Sequence, residues 1–189
     1  MASQELQNIL ALAREFYGRV CYTHKTHEKD RELLHDRVRC TKWTTVILSC
    51  LTTLFAFLGG VTSERWAIIA SGIFAALSTA FVVYQLNFNH EKDEAEHRHA
   101  AKKLLALRER YLLLIEKILG PSSDVTILRE KLEQLQGEVC LIYEHAPDTS
   151  SSAYKAAHAG LNQNQEMTFT ENEIDQLLPE RLRVKGESS

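Results

Sequence analysis

The sequence predicts an all-α membrane protein: a two-span transmembrane helical hairpin with long cytoplasmic helical extensions that form a helical bundle. Three observations lead to this prediction. The 189 residues include only three prolines and eight glycines, which favours long helices. Two segments, Trp43–Ser63 and Trp66–Asn89, contain no charged residue. All charges except those of Glu64 and Arg65 lie outside the region that these segments form, a segregation unusual in water-soluble globular proteins.

The first forty residues predict a cytoplasmic amphipathic helix. Residues 3–42 contain no proline and one glycine. Their apolar residues recur every three or four positions and therefore share one helix face; they are Leu6, Ile9, Ala13, Phe16 and Val20, with Leu34 and Val38 further along. The first long apolar run begins only at residue 43, too late for the core of a signal peptide.

The two uncharged segments predict membrane spans at about residues 43–63 and 66–86. A helix needs about 20 apolar residues to cross the hydrocarbon core. Trp43, Trp66 and Tyr84 lie near the ends of the spans, where interfacial aromatic residues are common. Two core helices of a soluble bundle are the alternative, although buried helices rarely contain such long uncharged runs.

The distribution of lysine and arginine predicts the topology. Six of these residues lie between positions 25 and 42, four lie between 90 and 107, and the turn contains only Arg65. Cytoplasmic flanks carry the excess of positive charge. We therefore expect a multi-pass protein of the cell inner membrane, with both termini in the cytoplasm and only a Ser-Glu-Arg turn outside.

Small and hydroxylated residues recur along both spans and are candidates for lining a pore or for packing helices. Two helices cannot enclose a channel, so a pore requires a homo-oligomer. Small residues let helices approach closely in lipid, either within the hairpin or between subunits. Hydroxyl groups could line a pore, although they more often bond the carbonyl four residues earlier. The candidates are Ser49, Thr52, Thr53, Ala56 and Gly60 in the first span and Gly72, Ala76 and Ala80 in the second.

The second span is expected to continue without interruption through His90 to Leu119, where Gly120 and Pro121 stop the helix. The segment Ser122-Ser123-Asp124 then offers an N-cap for another helix. The apolar residues of that helix repeat as an a/d seam and are Val125, Leu128, Leu132, Leu135, Val139 and Ile142. We expect this seam to fold back on residues 90–119, and a self-associating coiled coil is the alternative.

The sequence divides into a two-transmembrane helical domain, residues 1–146, and a linker with a short helical tail, residues 147–189. Within the tail we expect a short helix over residues 153–160. A second helix is expected to begin at the capping box formed by Thr170 and Glu173 and to run to about Leu178.

Polar residues beside the membrane provide a second set of candidates. Folding the hairpin about residue 64 brings His35 level with residues 92–94, so His35, His90 and His97 form a candidate juxtamembrane cluster. Such a cluster could sense pH or bind a metal or an anionic ligand; headgroup contact and ordinary capping or solvated histidines are the alternative. Three amides at the end of the second span, Gln85, Asn87 and Asn89, are expected to face headgroup water rather than form a ring in an oligomer.

No motif indicates an enzyme. The sequence contains no P-loop, no dinucleotide fingerprint, no nucleophile elbow and no zinc-protease motif. We therefore assign no catalytic, cofactor-binding or metal-binding residue and expect no cofactor. The net charge of −3 does not support direct nucleic-acid binding. The four cysteines lack C-x-x-C spacing and are expected to be reduced thiols.

The segment Glu15–Leu34 (EFYGRVCYTHKTHEKDRELL), and within it Tyr17-Gly18-Arg19 and Tyr22–Lys29, is distinctive. Together with the tight two-span hairpin, it resembles the SLATT family of bacterial proteins, the SMODS/SLOG-associating two-transmembrane effector domains, over about residues 5–145. The resemblance implies a membrane effector of an antiphage or conflict system. It also implies a partner encoded nearby: a nucleotide second-messenger synthase, a nucleotide sensor or a reverse transcriptase.

Two functions follow from these features. The leading hypothesis is an oligomeric pore that permeabilises the inner membrane when such a partner triggers it. The alternative is a non-conducting membrane scaffold that docks a cytoplasmic partner enzyme. Ion flux across the membrane distinguishes the two.

Overall fold

The computed structural model describes residues 2–120 and 124–166, and these residues form helices without any strand. Five helices follow one another along the chain: α1 (Ala2–Thr62), α2 (Arg65–Asn87), α3 (His90–Leu119), α4 (Val125–His145) and α5 (Ser151–Asn162). The predicted all-α class is confirmed. The helix predicted between Thr170 and Leu178 lies outside the described residues.

Helix α1 is a single uninterrupted helix of 61 residues that joins the N-terminal amphipathic segment to the first span. At 1.5 Å per residue it is about 90 Å long. It ends where Ser63 adopts a left-handed conformation with φ of 56°, which reverses the chain before α2 begins at Arg65. The amphipathic segment and the first span are therefore parts of one rigid element.

Helices α1 and α2 pack side by side as a hairpin and approach each other closely at Gly59. A Cβ atom on Gly59 would lie 2.7 Å from Cγ1 of Ile68 and 3.2 Å from its backbone nitrogen. Gly60, by contrast, faces open space. Further along the hairpin, Phe55 stacks on Phe74 with 5.4 Å between the ring centroids. Glycine is required at this crossing because any side chain would collide with α2.

The expectation of one continuous helix from the second span to Leu119 is wrong. The structure ends α2 at Asn87 and begins α3 at His90. The Asn89 side chain accepts a hydrogen bond from the backbone nitrogen of Lys92 at 3.1 Å and so caps α3. Asparagine favours this arrangement because its short amide competes with the helix for backbone hydrogen bonds.

The parts of α1, α3 and α4 that lie outside the spans share one apolar core. Tyr111 and Leu104 of α3 are fully buried in it. The seam of α4 is buried within the chain at Leu128, Leu132, Leu135 and Val139, which confirms the intramolecular packing predicted for it. Asp124 caps α4 as predicted, accepting a hydrogen bond from the backbone of Thr126 at 2.9 Å. Arg110 of α3 holds α4 through a two-pronged ion pair with Glu138, with Nη2 and Oε1 2.8 Å apart.

Candidate functional site

A layer of buried polar side chains interrupts the apolar core of the helical bundle outside the spans. It contains His24, Lys25, Thr26, His27 and Asp30 from α1 and Glu94 and His97 from α3, each at most 8% exposed. We call these seven residues the polar layer. Four consecutive residues of α1 are buried, so α1 is enclosed on all sides at this level. Buried polar groups are destabilising unless they are paired, so their partners define what the layer does.

The centre of the polar layer is a pair of histidines from α1 and α3. Nδ1 of His27 lies 2.9 Å from Nδ1 of His97, and the two residues are 2% and 5% exposed. In this contact one ring donates its proton and the other accepts it. Burial, reinforced by His97, lowers the pKa of His27 to about 4. His27 is therefore neutral at physiological pH, which allows it to remain in the core.

Glu94 forms a second link between α1 and α3. Its Oε1 accepts from Arg98 on the same helix at 2.7 Å and lies 3.3 Å from Nδ1 of His35 on α1. The carboxylate is nearly enclosed, whereas His35 is about half exposed. This contact joins the two helices between the histidine pair and the membrane.

The three histidines of the candidate juxtamembrane cluster have separate partners. His97 pairs with His27, His35 pairs with Glu94, and Nδ1 of His90 lies 3.9 Å from Asp93 at the start of α3. Sequence reasoning did not include His27 among the candidates. A signal was present, because His27 follows Val20 by seven residues and so continues the buried stripe of α1.

Helix α5 docks on the polar layer through polar contacts. Asp30 accepts hydrogen bonds from the backbone nitrogen of Ser150 at 2.9 Å and from its hydroxyl at 2.6 Å. Ser150 is itself the N-cap of α5. At the other end, Nζ of Lys25 lies 2.7 Å from Glu166 and 3.1 Å from Glu28. Burial opposes the charge of Lys25, but the hydrogen bonds that Lys25 donates to these carboxylates outweigh it and raise the lysine pKa.

The buried part of α5 consists of small residues. Ala153, Ala157 and Gly160 are buried there, and their spacing places them on one face. A 12-residue helix is unstable on its own in water, so α5 depends on its contacts with α1. Polar anchors at both ends and a small apolar face make these contacts weaker than those in the α1–α3–α4 core.

The candidate residues of the spans lie almost entirely on the outer surface of the hairpin. Ser49, Thr53, Ala56, Gly60, Gly72, Ala76 and Ala80 are exposed, and Thr52 is half-buried. The hydroxyls of Thr52 and Thr53 donate to the carbonyls of Leu48 and Ser49 at 2.8 and 3.0 Å. Within one chain these stripes therefore do not pack the hairpin, and they face lipid or a second copy.

The three amides near the C-terminal end of α2 have protein partners. Gln85 donates through Nε2 to Oγ1 of Thr45 on α1 at 2.6 Å, Asn87 donates to the carbonyl of Val83 at 2.9 Å, and Asn89 caps α3. The expectation that they face headgroup water is wrong for Gln85, which is half-buried and links the two spans. An amide in this setting is satisfied by the nearest helix because water is scarce at the hairpin interface.

The described residues offer no metal site: in 2–120 and 124–166, no group of three or more His, Cys, Asp or Glu side chains could hold a metal ion. The four cysteines are free thiols.

Comparison with known proteins identifies the family. Two of the described helices are long and apolar enough to cross a membrane. In each of them, only 6% of the 18-residue apolar stretch is buried within the protein. No curated protein and no solved structure gives a significant match. The family model of the SMODS and SLOG-associating two-transmembrane effector domain, family 4, matches residues 9–173. That range includes both spans, the polar layer and α5. The chain therefore belongs to SLATT family 4 and is a membrane effector domain of conflict systems.

Proposed function

We propose that this protein is a pore-forming effector of an antiphage system. Several hairpins assemble in the bacterial inner membrane and permeabilise it when a nucleotide-signalling or reverse-transcriptase partner delivers a trigger. The single observation that carries this proposal is the outward position of the small-residue stripes. Residues that permit close helix approach are placed where only lipid or a second subunit can meet them.

The continuity of α1 supports regulation from the cytoplasm. His27 and Trp43 are sixteen residues apart on the same helix, about 24 Å. A change in the packing of the polar layer would therefore move the first span as a rigid body. The break between Asn87 and His90 lets α2 respond without dragging α3 with it. At rest the bundle favours the closed arrangement of the spans. A signal that binds the open arrangement more tightly is then sufficient to open the pore.

The proposed topology places the bundle and its partner on the same side. The lysine and arginine counts favour cytoplasmic termini, and the polar layer lies on the flank that carries the excess positive charge. A partner enzyme in the cytoplasm then has access to α4 and α5. Homo-oligomerisation within the bilayer completes the proposed assembly.

Membrane potential in bacteria, followed with a voltage-sensitive dye after induced expression, tests the proposal. The parent is expected to depolarise the cells, either directly or on phage infection. The variant Gly72→Leu/Ala76→Leu is expected to lose this effect, because bulk on the outer stripe prevents close approach. The matched variant Ile73→Leu/Leu77→Ile alters exposed neighbours on α2 without adding bulk and is expected to behave like the parent. A chain lacking residues 43–84 is the baseline.

The scaffold alternative is favoured by one observation: the hydroxyls of Thr44, Thr45, Thr52 and Thr53 all donate to their own helix backbone. Those donors are not free to replace the hydration of an ion. An unchanged potential in infected cells, with the protein confirmed in the membrane, would overturn the pore and leave the scaffold.

A further inference from the structure

A cavity of about 320 Å³ lies at the break between α2 and α3, where the chain leaves the membrane. Thr41 and Lys42 line it from α1, directly before the first span. Leu86 and Phe88 line it from the end of the second span, and His90 and Glu91 line it from the start of α3. The cavity therefore lies at the depth of the cytoplasmic lipid headgroups.

The charges around the cavity are balanced. Lys42 is the one cation among its lining residues and Glu91 is the one carboxylate, and Nζ and Oε1 are 2.6 Å apart. Both side chains are more than 60% exposed. An ion pair between two exposed side chains is weakly held, so another pair of charges can insert between them. A net-neutral lining favours a ligand that carries one charge of each sign.

The imidazole of His90 also lines the cavity. Its Nδ1 atom is shielded from solvent and lies 3.9 Å from the Asp93 carboxylate. The side chain as a whole is 21% exposed. A ligand in the cavity can therefore contact the exposed part of the ring but not Nδ1.

The membrane-facing wall of the cavity is apolar. Val82, Leu86 and Phe88 line it and are 40%, 78% and 55% exposed. The rings of Tyr84, Phe88 and His90 follow one another along the cavity, with centroids 4.7 and 6.4 Å apart. This surface continues the lipid-facing side of α2, so an acyl chain leaving the cavity would remain in contact with apolar residues. A soluble phosphate would leave that wall unused.

We infer that this cavity binds the headgroup of a phospholipid that carries both a phosphate and a primary ammonium, as phosphatidylethanolamine does. The phosphate contacts Lys42 and His90, and the ammonium donates to Glu91 through a charge-assisted hydrogen bond. The bound lipid fills the gap between α2 and α3 and fixes the angle at which the chain leaves the membrane. This inference does not depend on pore formation.

Native mass spectrometry of the full chain in detergent tests the inference with added phosphatidylethanolamine, phosphatidylcholine or phosphatidylglycerol. Phosphatidylethanolamine is expected to bind about tenfold more tightly than either other lipid, since only it matches the phosphate with a hydrogen-bonding cation. Lys42→Gln and Glu91→Gln are each expected to abolish this preference. Equal binding of the three lipids, or a preference for phosphatidylglycerol, would overturn the inference.

The chain offers a closely matched control pair. Arg39 and Asp36 form an ion pair on the same flank of α1, are 66% and 68% exposed, and do not line the cavity. Arg39→Gln and Asp36→Asn remove the same kinds of charge and are expected to retain the preference for phosphatidylethanolamine. If these control variants lose that preference as completely as the Lys42 and Glu91 variants do, the cavity is not the binding site. Free phosphoethanolamine and inorganic phosphate are expected not to displace the lipid. Displacement by either would overturn the assignment to a lipid. Circular dichroism confirms that each variant remains helical.

Discussion

Acidification is expected to destabilise the helical bundle outside the spans through the His27–His97 pair. The folded protein lowers the pKa of His27 from 6.5 to about 4, chiefly because the ring is buried, with a contribution from His97. The unfolded chain therefore binds a proton more readily than the folded one. The contribution of neutral His27 to the free energy of unfolding is fully present above pH 6.5. It is lost as the pH falls from 6.5 towards 4.

The magnitude follows from the two pKa values. At pH 5, the unfolded state of His27 is mostly protonated and the folded state is mostly neutral, which corresponds to a loss of about 2 kcal/mol relative to pH 7.5. For a chain of this size that loss lowers the thermal midpoint by about 4–8 °C. Asp30 on α1 opposes the effect and His24 on α1 reinforces it. The lowered carboxylate pKa values of Glu138 and Glu166 act only at more acidic pH.

Thermal unfolding followed by circular dichroism in detergent, from pH 7.5 to pH 5, measures this effect. His27→Gln keeps a group that can hydrogen-bond to His97 but removes the titration, so its midpoint is expected to depend much less on pH. Burial also lowers the pKa of His24, which leaves a smaller residual slope. His99→Gln, at an exposed position on α3, is the matched control. If His27→Gln shows the same pH dependence as the parent, the histidine pair is not the acid-sensitive element.

Two further predictions address the hairpin and the α5 dock. Gly59→Ala is expected to overpack against Ile68, which costs about 1–3 kcal/mol of stability and lowers the thermal midpoint. Gly60→Ala is expected to be tolerated because no atom lies within 4 Å of the added Cβ. Equal midpoints for the two variants would contradict the close approach at Gly59. Asp30→Ala removes both acceptors for Ser150 and is expected to speed amide hydrogen exchange in α5 by about tenfold or more. Asp36→Ala, an exposed control on the same helix, is expected to leave that exchange unchanged.

Much of the architecture was predictable because it depends on local composition. The spans, the amphipathic face of α1 and the seam of α4 each follow from the spacing of apolar residues along a single helix. The N-cap at Asp124 was predicted for the same reason, since capping involves only neighbouring residues. The break at Asn89 was also local, but a single asparagine in an otherwise helical pattern is a weak signal beside the uncharged run that precedes it.

The pairing within the candidate sites was not predictable in the same way. His97 was expected to meet His35 and His90, but its partner is His27, 70 residues away in sequence. Which histidines meet depends on the rotation of α1 about its own axis against α3, and helix periodicity does not determine that rotation. The dock of α5 on Asp30 and Lys25 joins residues more than 100 positions apart and has no signature in either segment.

The sequence by itself determined that this chain has two membrane spans, long amphipathic helices and a SLATT-like organisation, because hydrophobicity and helix period are properties of neighbouring residues. The tertiary structure alone decided which glycine meets α2, which polar side chains share the buried layer, and where the second span ends. Those outcomes depend on how three helices pack in register. A shift of one residue along α1 would turn each of its side chains by about 100° and give every one of them a different neighbour.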